Sequence, residues 1–454
     1  MTMANPIDYQ LKSLRRLSLE DISLRRVAVL LLSDPFKYMY QITVENEHGE
    51  KRVVSRDEQF KSIVAELGLP ESMRGPLVNI MNLIFQEARD WLRFHETFLK
   101  LSHSRFYNGK YMKHVHWTYM GTVNYRKTAE AIIRDENLSI DRRFWLACLY
   151  CLEDDIQDLW QKLPPLSKKS FFNNGDPDRY DPPSEIIVFW TCILSGREYK
   201  IDSFHMGAER RFSSIYQYAF EFFAYKGYET ATQYFFEKLT CEEKDASLLR
   251  TAQAVVVEGG PFFKLYYDVS CYLLSQLNVE QFQKVLEDSP GAVLKIFLIW
   301  PRQDVLIEVA KLALPYFQRS DYESLPYYLY RQFQLKYQSR KLLWDLLLVM
   351  PKDSRHSTFY LNEFFTNENP EMFKFVFRNM DPAETLEFFL NDIILNHCCD
   401  LMEEGKWDCL EFFIRESRLS KEGREKFAVT FNSIFASLLE LEILERFTNM
   451  MNDI

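Results

Sequence analysis

Residues 141–160, DRRFWLACLYCLEDDIQDLW, constrain the fold of this chain more than any other stretch. Asp141 can cap a helix by accepting backbone N–H hydrogen bonds. The apolar residues that follow recur on one helical face, as Phe144, Ala147, Cys148, Cys151 and Leu152. The acidic residues 153–155 then favour the positive end of a second helix, which runs to Trp160. The stretch therefore predicts a helix, a tight turn and a second helix.

The same spacing recurs further along the chain. With Leu152 as position zero, apolar residues stand at positions −4, +4, +7 and +8, and the frame also fits when position zero is Gly227, Asn278, Asn369 or Gly405. Gly and Asn enter the left-handed backbone conformation at low cost, which suits a turn between two helices. These positions lie 36 to 91 residues apart, enough for one or more helical repeat units and insertions. We expect an irregular array of antiparallel helix pairs, an α-solenoid, and keep an irregular helical globule as the alternative.

Length and composition favour the all-α class. A chain of 454 residues is too long for one ordinary core and should form two or three domains or one extended array. Hydrophobic residues are 47% of the chain, so there is ample apolar surface to bury, while 14 Gly and 17 Pro are too few for a turn-dense all-β protein.

The chain divides into four predicted parts. Residues 1–115 should form a helical N-terminal domain, with a capping box at Ser55 and Glu58, a long helix over 75–101 and at most one small β-hairpin between Tyr38 and Val54. Residues 116–163 should hold the first helical repeats. The Pro-, Asn- and Asp-rich residues 164–184 predict an exposed loop or linker, and residues 185–454 continue the array.

The net charge of −10 is unevenly distributed. The first 140 residues carry 20 Lys/Arg and 17 Asp/Glu, which leaves 35 and 48 for the remainder. An acidic array argues against general nucleic-acid binding and favours protein partners with basic segments. The N-terminal sequence MTMANPIDYQLKSLRR lacks an apolar core of signal-peptide length, and residues 27–32 are too few to cross a bilayer, so we expect a cytoplasmic protein without membrane contact.

One stretch is an anion-binding candidate. Residues 97–129 contain no Asp or Glu, and their cations alternate with aromatic residues. Such cations can neutralise phosphates while aromatic faces stack on unpaired bases. The alternative is that the aromatic residues form a core and the cations its solvated face. The contact residues predicted by the first interpretation are Lys100, Arg105, Lys110, Tyr111, Lys113, Arg126 and Lys127.

Several groups have the residue types of metal sites but not the spacing. The Cys148–Cys151 pair lies within a predicted helix and has no second Cys-x-x-Cys to complete a zinc site. A looser cluster comprises His397, Cys398, Cys399 and Cys409, and another pair is His114 and His116. Asn174, Asp176, Asp178 and Glu185 match a calcium loop except that Arg179 replaces its essential Gly. We predict reduced, mostly buried cysteines, and no metal ligand, cofactor-binding residue or catalytic residue.

Residues 141–164 and 396–417 resemble degenerate ankyrin-type helix pairs, in which a small-residue turn separates a short helix from a slightly longer one. Residues 144–147, FWLA, only partly replace the Thr-Pro-Leu-His-like start of an ankyrin helix, so the ankyrin hairpin fingers and their binding surface are not implied. The string RFWLACLYCLEDDIQDLW also resembles a recurring segment of arthropod helical proteins that carry no established activity.

The expected function is a non-enzymatic protein–protein interaction scaffold. The sequence contains no Gly-rich phosphate loop, no Gly-x-Ser-x-Gly and no His-Glu-x-x-His. Stacked helix pairs present a long groove suited to an extended partner. Binding of single-stranded nucleic acid or another anion through residues 100–127 is the alternative, and an unrecognised enzyme is the third.

Overall fold

The structure is a computed structural model, and it describes residues 18–32, 42–45, 51–99, 111, 113–173, 184–201, 212–258, 263–318, 320–322, 340–351, 374, 377–378 and 380–453. Up to residue 173 the helices are α1 (Leu19–Leu31), α2 (Arg56–Glu66), α3 (Glu71–Leu99), α4 (Tyr125–Ile133), α5 (Ile140–Leu149), α6 (Glu153–Lys162) and α7 (Pro165–Asn173). The helices of residues 184–296 are α8 (Ser184–Leu194), α9 (Ile215–Tyr225), α10 (Glu229–Lys238), α11 (Cys241–Glu258), α12 (Phe263–Gln276), α13 (Val279–Asp288) and α14 (Pro290–Ile296). The later helices are α15 (Leu306–Ala313), α16 (Arg340–Val349), α17 (Pro382–Phe389), α18 (Asp392–Glu403), α19 (Trp407–Ser417), α20 (Lys421–Phe435) and α21 (Leu441–Asp453).

The all-α prediction is confirmed for this part of the chain. Within the described ranges, the strands are β1 (Ile42–Glu45) and β2 (Lys51–Val54), which form one antiparallel hairpin with Ile42 opposite Val54. The hairpin is the one that the alternating residues predict, although Tyr38 and Tyr40 lie outside the described residues.

The capping box that begins α2 is present. The Glu58 backbone N–H donates to Ser55 Oγ across 3.3 Å, and the Ser55 N–H donates to Glu58 Oε2 across 2.8 Å. The next helix, α3, begins at Glu71, four residues before the predicted start at 75, and includes Pro76. Pro76 removes one backbone hydrogen bond, and burial of the following residues in the N-terminal core offsets that loss.

The core around α1, α2 and α3 is completed by a residue far along the sequence. Its buried residues are Leu24, Ala28, Leu32, Phe60, Val64, Leu77, Val78, Met81, Ile84, Phe85 and Trp300. The Arg25 guanidinium lies 5.2 Å from the Trp300 ring centroid, donates to the Met120 carbonyl across 2.9 Å and approaches Asp304 at 3.5 Å. Residues near 300 therefore belong to the core of the predicted N-terminal domain 1–115.

Three helix pairs are joined by the same left-handed turn: α5 with α6, α9 with α10, and α18 with α19. The left-handed residues are Cys151 (φ 49°), Gly227 (φ 81°) and Gly405 (φ 74°). In each turn the next N–H bonds the carbonyl five residues earlier, Leu152 to Ala147 (3.0 Å), Tyr228 to Phe223 (3.0 Å) and Lys406 to Leu401 (2.8 Å). This is the Schellman arrangement, which satisfies carbonyls at the end of the first helix while the chain reverses.

The structure shifts the first predicted turn by one residue and replaces the predicted turn at Asn278 by a helix cap. Gly227 and Gly405 hold the left-handed position as predicted, but in the first pair that residue is Cys151 and not Leu152 (φ −83°). Asn278 is an N-cap in extended conformation (φ −75°, ψ 173°), because its side chain accepts the Gln281 N–H across 2.9 Å. Asn369 lies outside the described residues.

Counted from the left-handed residue, positions −7, −4, +5 and +8 are buried in all three pairs. They are Phe144, Ala147, Ile156 and Leu159; Phe220, Phe223, Thr232 and Phe235; and Cys398, Leu401, Leu410 and Phe413.

The prediction of an exposed loop or linker at residues 164–184 is partly wrong. Residues 165–173 form α7, and Phe171 is buried against Phe144 with their ring centroids 5.5 Å apart. Pro165 at the first helical position needs no N–H partner, so the Pro164–Pro165 pair begins a helix instead of breaking one. Residues 174–183 lie outside the described residues.

The chain separates into two compact units. The first comprises the chain up to Ala292 together with Ile299–Val305, and the second comprises Val293–Leu298 and the chain from Leu306 onward. The predicted boundary at residue 115 therefore falls inside the first unit. Among the described helices, none has the length and apolar character needed to cross a membrane.

Candidate functional site

The structure places part of the basic aromatic stretch in the protein interior. Lys100, Arg105 and Lys110 lie outside the described residues, and Tyr111 is buried with 4% of its surface exposed. Trp117 packs against the N-terminal core and pairs through its backbone with Val123. Two of the aromatic rings that were candidates for base stacking therefore pack within the protein.

The described cations of that stretch face solvent near carboxylates. Lys113 Nζ lies 4.0 Å from Asp135 Oδ2, and Arg126 Nε donates to Glu130 Oε1 across 3.3 Å. Lys127 is exposed. These pairs match the alternative interpretation, in which the cations form the solvated face of a packed segment.

The cysteine and histidine clusters are placed as follows. Cys148 and Cys151 are fully enclosed, and burial raises the pKa of both thiols. Cys398 and Cys399 are also buried, while His397 Nδ1 lies 3.9 Å from Asp400 Oδ2. Over the described ranges, no three His, Cys, Asp or Glu side chains come together as a metal site would require. His114 instead contacts Asp135 at 3.3 Å, and Glu185 of the calcium-like loop pairs with Lys226 at 3.0 Å.

A cavity of about 40 Å³ in the first unit is the candidate site. It lies where the turn between α9 and α10 meets the end of α5, and α3, α4 and α12 contribute to its wall. Its lining residues are Phe94, Tyr125, Leu149, Tyr150, Gly227, Tyr228, Glu229, Thr230 and Asp268. Tyr228, Glu229 and Thr230 are half-buried, so the cavity reaches the surface at the start of α10.

A buried histidine sets the hydrogen-bonding role of one wall residue. His95 Nδ1 lies 2.7 Å from the Trp91 carbonyl, which can only accept, so Nδ1 carries the proton. Burial lowers the pKa of His95 to about 4, so the ring is neutral at pH 7 and Nε2 is an acceptor. Nε2 lies 2.6 Å from the Tyr150 hydroxyl, which must therefore donate its proton to His95. Any further hydrogen bond at the Tyr150 oxygen is one that it accepts.

The other tyrosines of the wall also remain protonated. Burial raises the pKa of Tyr125, and the negative charges of Glu87, Asp268, Asp90 and Glu229 raise it further. Burial likewise raises the pKa of Tyr228.

Two carboxylates supply the charge of the wall. Glu229 lies in the first turn of α10 and accepts a hydrogen bond from Gln233 Nε2 across 3.0 Å. Asp268 accepts from Arg302 Nη2. Burial opposes the charge on Arg302, but Cys271, Asp268 and Glu229 together raise its pKa. Both carboxylates of the wall therefore act on the same buried cation, Arg302.

No motif in the sequence predicts this site. Its residues come from five helices and are separated by tens of residues, so no local motif joins them. The available signal was Gly227, whose left-handed turn places Tyr228 and Glu229 at the cavity.

Comparison of the chain with protein-family models finds no match, and comparison with curated proteins finds no match either.

Proposed function

We propose that the chain is a non-enzymatic protein-interaction scaffold, an irregular, ankyrin-like α-solenoid built from helix pairs. The observation that carries the proposal is the repeated turn at Cys151, Gly227 and Gly405, in which the backbone and the inward positions agree. The residues one position later differ, as Leu152, Tyr228 and Lys406. A constant frame with variable residues at its turns suits recognition of an extended partner.

The protonation states around the cavity favour binding over proton transfer. General acid–base catalysis works best with a group that titrates near the operating pH. Burial lowers the pKa of His95 to about 4 and raises that of Cys271 to about 11, and it raises the pKa of Tyr150 well above its ordinary value. These three groups keep a single protonation state at pH 7.

Charge favours a partner with basic segments. Acidic residues exceed basic ones by 48 to 35 after residue 140. In the first pair the exposed Asp154 stands in the first turn of α6. Complementary charge at such positions speeds encounter and selects the partner.

The test uses the tagged full chain as bait, at low and moderate salt, with and without nuclease, and identifies the retained proteins. The Asp154→Lys variant should weaken retention of a specific partner, while Glu425→Lys, the same charge change at an exposed position of α20, is the matched control. Equal retention by both variants and the unchanged chain would remove the turn of the first pair from the binding surface.

The same experiment decides the nucleic-acid alternative. Retention that is lost with nuclease, and that falls steeply with salt, would favour binding through residues 100–127. Charge reversal at Lys110 and Lys113 should then abolish it. Retention of a protein after nuclease treatment supports the scaffold.

A further inference from the structure

We propose that the cavity lined by Tyr150, Tyr228 and Thr230 binds an uncharged primary carboxamide, the group that ends a glutamine or asparagine side chain of a protein partner, an inference that rests on the proposed scaffold function.

The size of the cavity suits the end of one polar side chain. Its volume of about 40 Å³ holds roughly three water molecules. A primary carboxamide consists of a carbon, an oxygen and a nitrogen, and its slender methylene stem can enter where the half-buried residues at the start of α10 open the cavity to the surface. A nucleotide or a whole peptide segment is much larger and does not fit.

The hydroxyl groups of the wall include both an acceptor and a donor. The Tyr150 oxygen accepts, since its proton is donated to His95 Nε2 across 2.6 Å. Burial raises the pKa of Tyr228, so this hydroxyl keeps its proton at pH 7 and can donate it. The Thr230 hydroxyl can do either. A ligand that donates and accepts at neighbouring atoms therefore matches the wall.

A primary carboxamide has both functions in one flat group. Its nitrogen carries two N–H donors and its oxygen is an acceptor. In the bound state an amide N–H donates to the Tyr150 oxygen, and the amide oxygen accepts from the Tyr228 hydroxyl. Water also donates and accepts, so the apolar wall decides between the two.

The apolar part of the wall comprises Phe94, Tyr125 and Leu149. The methylene stem and the face of a carboxamide can contact these side chains, whereas water gains little from them. Replacement of water by a carboxamide thus adds apolar contact and keeps the hydrogen bonds to the hydroxyls.

The charged groups beside the cavity act on one another. Asp268 accepts a hydrogen bond from the buried Arg302, and Glu229 also raises the pKa of that guanidinium. A cation or an anion would lose its hydration on entry and would meet charges that already interact within the protein. An uncharged polar group loses less hydration, so the wall favours it.

The experiment compares small probes of similar length by saturation-transfer-difference NMR on the full chain at pH 7. The probes are propionamide, N,N-dimethylpropionamide, propylammonium and propionate. Propionamide should bind most tightly. The dimethyl amide cannot donate and the two ions carry a charge, so each should bind about tenfold more weakly or worse. Absence of propionamide binding would overturn the proposal, as would equal affinity for any of the other probes.

The Tyr228→Phe variant removes the donor and keeps the ring. The Kd for propionamide should rise about three- to tenfold, which corresponds to the loss of one neutral hydrogen bond. Tyr216→Phe is the matched control, because it removes a hydroxyl from a partly exposed ring of α9 that does not line the cavity. This control should stay within about twofold of the unchanged chain. An equal Kd in the two variants would overturn the role of Tyr228.

The Thr230→Leu variant tests the location of the bound amide. The larger side chain fills the half-buried rim of the cavity and should abolish propionamide binding. Circular dichroism and urea unfolding establish that each variant is folded. Unchanged binding in folded Thr230→Leu would place the amide elsewhere and overturn the proposal.

The source of the carboxamide is tested with two capped amino acids. Nα-acetyl-glutamine methylamide and Nα-acetyl-leucine methylamide share their backbone amides, but only the first carries a primary carboxamide on its side chain. Displacement of propionamide by the glutamine compound alone supports the side-chain assignment. Equal displacement by both compounds, or by neither, overturns it.

Retention of a protein partner by the tagged full chain separates this inference from the proposed function. Retention should weaken in Thr230→Leu. Equal retention by this variant and the unchanged chain would overturn the inference and leave the scaffold standing. Absence of any retained protein, with propionamide binding intact, would instead overturn the proposed function.

Discussion

The hydroxyl of Tyr150 donates to His95 Nε2 across 2.6 Å, and the two rings stack with their centroids 5.8 Å apart. His95 belongs to α3 and Tyr150 follows the last residue of α5, so one hydrogen bond ties the long N-terminal helix to the first helix pair. Both groups are buried, which makes the cost of losing either partner large.

Replacement of Tyr150 by Phe should destabilise the protein without changing the shape of its core. The change removes the hydroxyl that donates to the buried His95 Nε2, and we expect a loss of about 1–3 kcal/mol in the free energy of unfolding. Urea denaturation measures this loss. Tyr216→Phe removes a hydroxyl from a partly exposed ring and should have little effect. An equal loss in both variants would contradict the hydrogen bond.

Acidification should lower the stability of the protein because the buried His95 resists protonation in the folded state. Its pKa in the folded state, about 4, lies below the ordinary value of 6.5, so the unfolded chain binds the proton more readily. The contribution of neutral His95 to the free energy of unfolding is fully present above pH 6.5 and is lost as the pH falls toward 4. Between pH 7.5 and pH 5 this group alone should cost about 2 kcal/mol.

The His95→Gln variant isolates that contribution. It should be less stable than the unchanged chain at pH 7.5, and its free energy of unfolding should depend less on pH between 7.5 and 5. Urea unfolding at several pH values gives the two slopes. Identical slopes would show that His95 titrates normally.

Gly121→Ala should be more damaging than Gly68→Ala. Both glycines have positive φ, 81° and 64°, so each substitution carries backbone strain of about 1 kcal/mol. At Gly121 an added Cβ would also lie 3.2 Å from atoms of Ile84 and Trp300, whereas at Gly68 it would meet nothing within 4 Å. We expect an additional loss of about 1–3 kcal/mol at Gly121. Equal losses of unfolding free energy in the two variants, measured in urea, would show that the Trp300 side chain moves aside to accommodate the added Cβ.

Thiol reactivity should follow burial. Cys241 is exposed, Cys409 is intermediate, and the other six cysteines are buried. The native protein should therefore react with an aromatic disulfide reagent rapidly at Cys241 and slowly elsewhere, since an enclosed thiol stays protonated and out of reach. In urea all eight should react. Cys241→Ser should remove the fast phase, and a fast phase that survives when Cys409 is also replaced by Ser would contradict the burial of the other six thiols.

Local interactions were readable from the sequence. The capping box at Ser55 and Glu58 depends on residues three apart, and the turns at Gly227 and Gly405 depend on the backbone freedom of one residue. Amphipathic spacing likewise predicted the helix pairs around Cys151, Gly227 and Gly405 and their inward faces. The first turn lies one residue before its predicted position. Cys151 adopts the left-handed conformation there at the cost of strain, and a cysteine, unlike Gly or Asn, does not indicate such a turn in the sequence.

Packing between residues distant in the sequence decided the features that local patterns did not predict. Asn278 caps a helix instead of forming a left-handed turn, because its side chain can do either and the neighbouring backbone selects one. Trp300 completes a core whose other members lie before residue 86, and the cavity collects Tyr125, Tyr150, Glu229 and Asp268 from separate helices. No periodicity links such residues, since their proximity comes from the burial of apolar faces over the whole first unit. The sequence by itself determined the all-α class, the capping box at Ser55 and the turns at Gly227 and Gly405, and only the tertiary structure decided which side chains meet.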